Sequence, residues 1–289
     1  MSSTGSTIVV SSESSGAYVS INHGDTWNLA AGIKNSTQIV GIAVSSTGQH
    51  VTLIGNQEGI FLSTDYGAHF GLSLSGPGKT SSYKTGAITM SYSGEYQYVA
   101  TYADGVYMTS DYGNTWTLMN VSAYSFTGVA TSSGGDNVVV ATVDDDTSYF
   151  YSNDFGATWS GTSNCPSLVG FNTAYLSMSG SGAEVVATVF DSGIYYSSDY
   201  GSTWSTINSS PSNWGPIATD VNMTLFWTTV TSETADGDFI VMGADQSVAP
   251  FGDDSSSDST DLSTGDIVGI TIGALAVVAC IIFGVIRFN

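Results

Sequence analysis

Five variants of the octad Ser-x-Asp-x-Gly-x-Thr-Trp recur along the chain as SINHGDTW, STDYGAHF, TSDYGNTW, SNDFGATW and SSDYGSTW. Their anchors Asn22, Asp65, Asp111, Asp154 and Asp199 stand 43, 46, 43 and 45 residues apart. One copy would constrain little. Five at an even period of this length match one four-stranded blade per repeat, so the fold expected over residues 1–250 is an all-β propeller. Composition agrees: Ser, Thr, Gly, Tyr and Val are abundant and only 5 Pro occur, which favours short strands and tight turns over helix.

The octad is itself a turn. The anchor's side-chain oxygen is expected to accept backbone N–H groups two residues on, closing an Asx-type turn. Gly24, Gly67, Gly113, Gly156 and Gly201 supply the positive φ that such a turn demands. Trp27, Phe70, Trp116, Trp159 and Trp204 then place a large ring at the head of the next strand, for packing between blades. Four residues before the anchors stand Tyr18, Phe61, Tyr107, Phe150 and Tyr195. They share a strand face with Ser20, Ser63, Thr109, Ser152 and Ser197 and read as a stripe of inter-blade core.

Upstream of the octads come apolar strands such as VTLIG, YQYVAT, NVVVAT and EVVATV, preceded by strands such as VGIAVSS and GAITMSYS. A blade therefore reads strand, turn, strand, turn, strand, octad, strand. Residues 7–37 hold only the last three strands of a blade, and 214–250 hold a degenerate blade whose GDFIVMGAD lacks a good octad. The count is about six blades. A propeller must close to remove its sheet edges, so another part of the chain supplies the first blade's inner strand, or upstream sequence is missing and the count rises to seven or more.

The octads resemble the Asp box, or BNR repeat, of sialidases, sortilin-type receptors, xyloglucanases and photosystem assembly factors. The pattern departs at Asn22, and at His69 and Phe70 in the second copy. In the Asp-box enzymes these turns join strands three and four on the face away from the active site. The resemblance therefore implies that the octads are scaffold and that ligands meet the turns between strands two and three. Those turns read GNQEG, YADG, VDDDTSY, FDSG and TADGD and carry Glu58, Asp104, Asp144, Asp145, Asp146, Asp191, Asp236 and Asp238. An acidic ring there is a candidate face for a basic partner or calcium. Equally, Asp-Gly and Asp-Ser-Gly are good hairpin turns with no further role.

Enzymatic readings find little support. Sialidases grip their substrate's carboxylate with three arginines, whereas Arg287 is the sole arginine here. A xyloglucanase-like hydrolase remains the alternative, needing two carboxylates about 5–9.5 Å apart, but no catalytic residue is assigned. His23, His50 and His69 are the only histidines, two of them inside octads, so no metal site or cofactor is assigned. The formal net charge of -21 excludes nucleic acid as a partner. Cys165 has no intrachain partner outside the apolar run that holds Cys280, so disulfides do not organise the fold.

That run, Ile267 to Ile286, is twenty residues without a charge, long enough to cross a hydrocarbon core of about 30 Å. Asp266 precedes it and Arg287 follows, which puts the tail 287–289 in the cytosol and the propeller in the extracellular or lumenal space. Residues 251–266 form an acidic, Ser-rich stalk. Acceptor triplets at Asn35, Asn120, Asn208 and Asn222 fit that route. The N-terminus has no signal peptide. Either the true start lies upstream, or the chain is tail-anchored with its propeller in the cytosol. The function expected is a membrane-anchored binding or receptor-like module for a protein or glycan.

Overall fold

A computed structural model of the chain describes residues 1–12, 16–73, 87–102, 104–121, 125–143, 149–162, 174–208, 213–223, 225–231 and 238–243. These residues form six antiparallel sheets and no helix. The expected span 267–286 and stalk 251–266 lie outside them, and among the described residues no helix is long and apolar enough to cross a membrane.

Each sheet is one blade of consecutive strands. Blade one holds β1 (Ile8–Ser12), β2 (Gly16–Ser20) and β3 (Asn28–Leu29). Blade two holds β4 (Ile39–Val44), β5 (Val51–Gly55), β6 (Gly59–Ser63) and β7 (Gly71–Leu72). Blade three follows with β8 (Ala87–Met90), β9 (Gln97–Thr101), β10 (Gly105–Thr109) and β11 (Thr117–Leu118). Blade four is β12 (Phe126–Thr131), β13 (Val138–Thr142), β14 (Tyr149–Ser152) and β15 (Ser160–Gly161). Blade five is β16 (Ala174–Met178), β17 (Val185–Val189), β18 (Gly193–Ser197) and β19 (Ser205–Asn208). Blade six has three described strands, β20 (Asn213–Thr219), β21 (Leu225–Thr231) and β22 (Asp238–Gly243).

The register identifies equivalent strands. In blades two to five the first residue of the second strand pairs with the Ser or Thr that opens the octad: Val51 with Ser63, Gln97 with Thr109, Val138 with Ser152, Val185 with Ser197. In blade one Ile8 pairs with Ser20 in the same way. So β1 is a second strand, as the sequence predicts, and the inner position of that blade is empty among the described residues. Strands β4, β8, β12, β16 and β20 touch one another in turn and are the inner strands of their blades.

Among the described residues the core is five apolar seams, one between each successive pair of blades. Leu53, Phe61 and Phe70 of blade two close on Val9, Ala17 and Val19 of blade one. Val139, Ala141 and Tyr149 of blade four close on Ala174, Val185 and Trp204 of blade five. The second strands are therefore buried on both faces, and every residue of β5, β9, β13 and β17 is buried. Such strands lose the alternation of a one-sided sheet and read as continuous apolar runs. Burying a side chain such as Leu53 stabilises the fold by about 1.5–3 kcal/mol relative to exposure.

Candidate functional site

The octads fix which turns share a face. In the third copy, Thr109 Oγ1 donates to Asp111 Oδ1 at 2.7 Å and accepts the Gly113 N–H at 3.1 Å. Asp111 Oδ1 also accepts the Thr115 N–H at 2.8 Å, and Oδ2 accepts the Thr115 hydroxyl at 2.6 Å. The same pattern closes the copies at Asp154 and Asp199. The side chain therefore clamps the N–H four residues on, not two as expected, because the loop is wider than a simple Asx turn. In the second copy His69 Nδ1 meets Asp65 Oδ2 at 2.7 Å in place of the Thr hydroxyl. In the first, Asn22 Oδ1 accepts the Thr26 N–H at 3.0 Å while its amide nitrogen donates to Thr26 Oγ1 at 2.9 Å.

These carboxylates are held ionised. The His69 N–H, followed by its ring, brings Asp65 down to about 2. Asp154 lies below the ordinary carboxylate range, chiefly through the Thr158 hydroxyl and N–H. At Asp111 and Asp199 desolvation pushes upward, but the Thr115 and Thr203 donors outweigh it and the net shift is downward. A carboxylate that accepts several donors and resists protonation is poorly suited to be a general acid. The octads are turn clamps.

Their aromatic residues fasten blades together. Phe70, Trp116 and Trp204 are buried in the seams, and Trp159 packs against one of them. Trp116 and Trp204 also donate Nε1–H to the Gly113 and Gly201 carbonyls at 2.9 and 3.0 Å. Phe61, Tyr107, Phe150 and Tyr195 each join the seam with the preceding blade, as expected of the stripe. Tyr18 is the exception at 36% exposed. Among the described residues no blade packs on that flank of blade one, which also leaves Trp27 outside every seam.

The octads join third to fourth strands, so the turns between second and third strands lie at the opposite end. Glu58 stands between β5 and β6, where its Oε2 accepts the Thr37 hydroxyl at 3.0 Å. Asp104 stands between β9 and β10, its N–H donating to Thr101 Oγ1 at 3.1 Å. Asp191 stands between β17 and β18 with φ at 53°. Strand order thus puts these three carboxylates on one face, contributed by blades two, three and five. Asp238 opens β22 at the same end, paired with Val230. Asp144, Asp145, Asp146 and Asp236 lie outside the described residues. So does Cys165. Among the described residues no three His, Cys, Asp or Glu side chains gather as a metal site. Of the acceptor triplets, Asn35, Asn120 and Asn222 are exposed and Asn208 is half-buried.

A second repeated turn escaped the sequence reading. Between first and second strands the chain makes Ser-x-x-Gly turns at Ser45, Ser91, Ser132 and Ser179, and Ser2 to Gly5 forms the same turn ahead of β1. In each, the glycine N–H donates to the serine carbonyl at 2.9–3.1 Å. The serine hydroxyl accepts the N–H five residues on at 3.0–3.2 Å. In blade six Asp220 to Met223 takes this place. Consecutive turns are then linked: the Ser3 N–H donates to the Ser46 carbonyl, Ser46 to Tyr92, Tyr92 to Ser133, Ser133 to Gly180 and Gly180 to Val221, at 2.7–3.0 Å. The turns surround a cavity of about 330 Å³ at the octad end.

No protein-family model and no curated protein matches the chain. Solved structures match it in fold. The GH74 xyloglucanase from Xanthomonas campestris is 13% identical, with a TM-score of 0.63 over 82% of this chain and 42% of that one. The Cps50 (Swd1) β-propeller domain of Myceliophteria thermophila is 9% identical, with a TM-score of 0.63 over 84% of this chain and 80% of that one. YCF48 bound to D1 peptide is 12% identical, with a TM-score of 0.53 over 78% of each chain. The chain spans only about two fifths of the length of the xyloglucanase. The likeness is one of fold, and the fold is an all-β propeller.

Proposed function

We propose that the chain is a non-catalytic binding module: an Asp-box propeller tethered by the span 267–286, with its propeller outside the cytosol and its acidic turns facing a basic protein segment. The observation that carries this reading is the placement of Glu58, Asp104 and Asp191 at one end of three blades, while the octad carboxylates at the other end are occupied by their own turns. Lys34 is the only Lys or Arg among the described residues, so that face carries little to neutralise its charge. Summed carboxylate fields steer cationic partners and lose force with salt.

A Lys/Arg-rich peptide titrated into the full chain in zwitterionic nanodiscs is expected to bind, to weaken as salt rises from 50 to 300 mM, and to bind at least about tenfold less tightly to the Asp104→Asn, Asp191→Asn double variant. Equal affinity for variant and parent overturns the reading. Hydrolysis of xyloglucan oligosaccharides that is lost in the same variant replaces it with the glycoside hydrolase alternative.

A further inference from the structure

Phe190 and Tyr175 are 44% and 37% exposed at the acidic-turn end of blade five. We propose that these two rings, with the Asp191 carboxylate beside them, form a docking point for an arginine side chain, so that the face takes arginine-rich segments in preference to lysine-rich ones of equal charge. The inference rests on the acidic-face reading and names the chemistry of its partner.

Strand register places the rings together. Tyr175 pairs with Thr188 across β16 and β17, so Phe190, two residues past Thr188, is its diagonal neighbour on the same face, at about 7–8 Å. That face turns toward blade six, because Ser177, two residues along from Tyr175, shares a 2.7 Å hydrogen bond with Thr219. The Thr188 hydroxyl crosses the same seam to donate to the Gly215 carbonyl at 2.8 Å. Asp191 follows Phe190 at the tip of a turn that the Ser192 N–H closes on the Val189 carbonyl at 3.1 Å. Its carboxylate is exposed and accepts no hydrogen bond from a described residue.

Packing does not account for the rings. Among the described residues neither belongs to the apolar seams on the two sides of blade five. Nor does the turn require an aromatic residue. The register puts Asn56 at the position of Phe190 in blade two, where its amide donates to Gln38 Oε1 at 2.8 Å. Blade three repeats the pairing of ring and carboxylate with Tyr102 and Asp104, its ring half-buried.

Ring and carboxylate together select a guanidinium. It is planar and weakly hydrated, so it can lie on an aromatic face while its edge donates to a carboxylate, whereas a lysine ammonium is compact and holds its water. An apolar side chain over the rings would desolvate the carboxylate without a partner, and an anion would be repelled. A saccharide needs several polar partners, but the Ser192 hydroxyl is shared with Tyr195 at 2.7 Å and the Thr188 hydroxyl is taken by Gly215. Lys34, the only Lys or Arg among the described residues, stands between blades one and two, so no described cation of blade five or six competes for the rings.

The test titrates two peptides of equal length and charge, four repeats of Gly-Ser-Arg and four of Gly-Ser-Lys, into the full chain in zwitterionic nanodiscs at about 150 mM salt. Calorimetry is expected to show the arginine peptide binding at least about fivefold tighter. The Phe190→Leu, Tyr175→Leu double variant keeps apolar bulk and charge. It is expected to bring the arginine peptide to within about twofold of the lysine peptide, whose own affinity stays at the parent's. Phe190→Trp is expected to tighten the arginine peptide at least about twofold, because Trp offers the strongest cation-binding face, and a gain cannot come from a poorly folded variant. Equal affinity of the parent for the two peptides, or a preference undiminished in the Leu variant, overturns the inference. If both peptides still weaken in the Asp104→Asn, Asp191→Asn variant, the acidic-face reading stands without it. Binding of neither peptide overturns both.

Discussion

Asn22 shows what the anchor of an octad needs. It keeps the acceptor toward Thr26 N–H and reverses only the bond to Thr26 Oγ1, donating where an aspartate would accept. Geometry, not charge, closes the turn. Charge adds a pH dependence. Asp65 titrates near 2 in the folded chain and near 3.9 in an unfolded one, so its stabilising contribution is complete above about pH 4 and is lost as pH falls through 2. The Asp65→Asn variant is therefore expected to melt below the parent at pH 6 and to converge on it as pH falls from 4 to 2, by circular dichroism. A gap that stays constant over that window would show that His69 and its N–H do not hold the carboxylate down. Not every feature at this scale was visible in the sequence. The residues after the anchors, His23, Tyr66, Tyr112, Phe155 and Tyr200, all have φ between 58° and 64°. Tyr and Phe are poor choices for that region, unlike the His of the first copy, so nothing in their identity announces the conformation.

At the scale of the hairpin, glycine in the octad serves two ends. Gly113 has φ at 88°, and a Cβ there would stand 2.6 Å from Leu62 Cδ2 of the preceding blade. Gly201 meets Val139 and Gly67 meets Val19 in the same fashion. The residue must be left-handed and must also let the neighbouring blade approach. Gly113→Ala is expected to destabilise the propeller by about 2–4 kcal/mol, read by denaturant melts, combining left-handed strain with overpacking. A loss under about 1 kcal/mol would mean that Leu62 moves aside freely. The octad hairpins were legible because Asp, Gly and Trp are each uncommon enough, and each necessary enough, to stand out at a fixed spacing. The Ser-x-x-Gly turns do equal structural work and were missed, because Ser and Gly fill this sequence everywhere. Glu58, Asp104 and Asp191 each stand between a second and a third strand, a position that period and strand count are enough to read.

At the scale of the molecule, the described blades pack on their neighbours in sequence, so stability is treated as a sum of blade and seam contributions. Among the described residues blade one has a seam on one side alone, with Tyr18 36% and Leu29 43% exposed. Amide exchange is expected to be faster in β1 and β2 than in β13 and β17, which are enclosed by seams on both sides. Uniform protection across all blades would instead indicate that the flank beside Tyr18 is covered. The cavity could not have been read from the sequence at all. Its six turns come from positions more than 40 residues apart, and none of them carries a motif that names a ligand.

The linked turns around that cavity all donate in one rotational sense, from Ser3 toward Val221. Five such bonds join six turns through main-chain groups alone. Because those bonds run from backbone to backbone, the side chains around the opening could be changed without disturbing the frame that holds it.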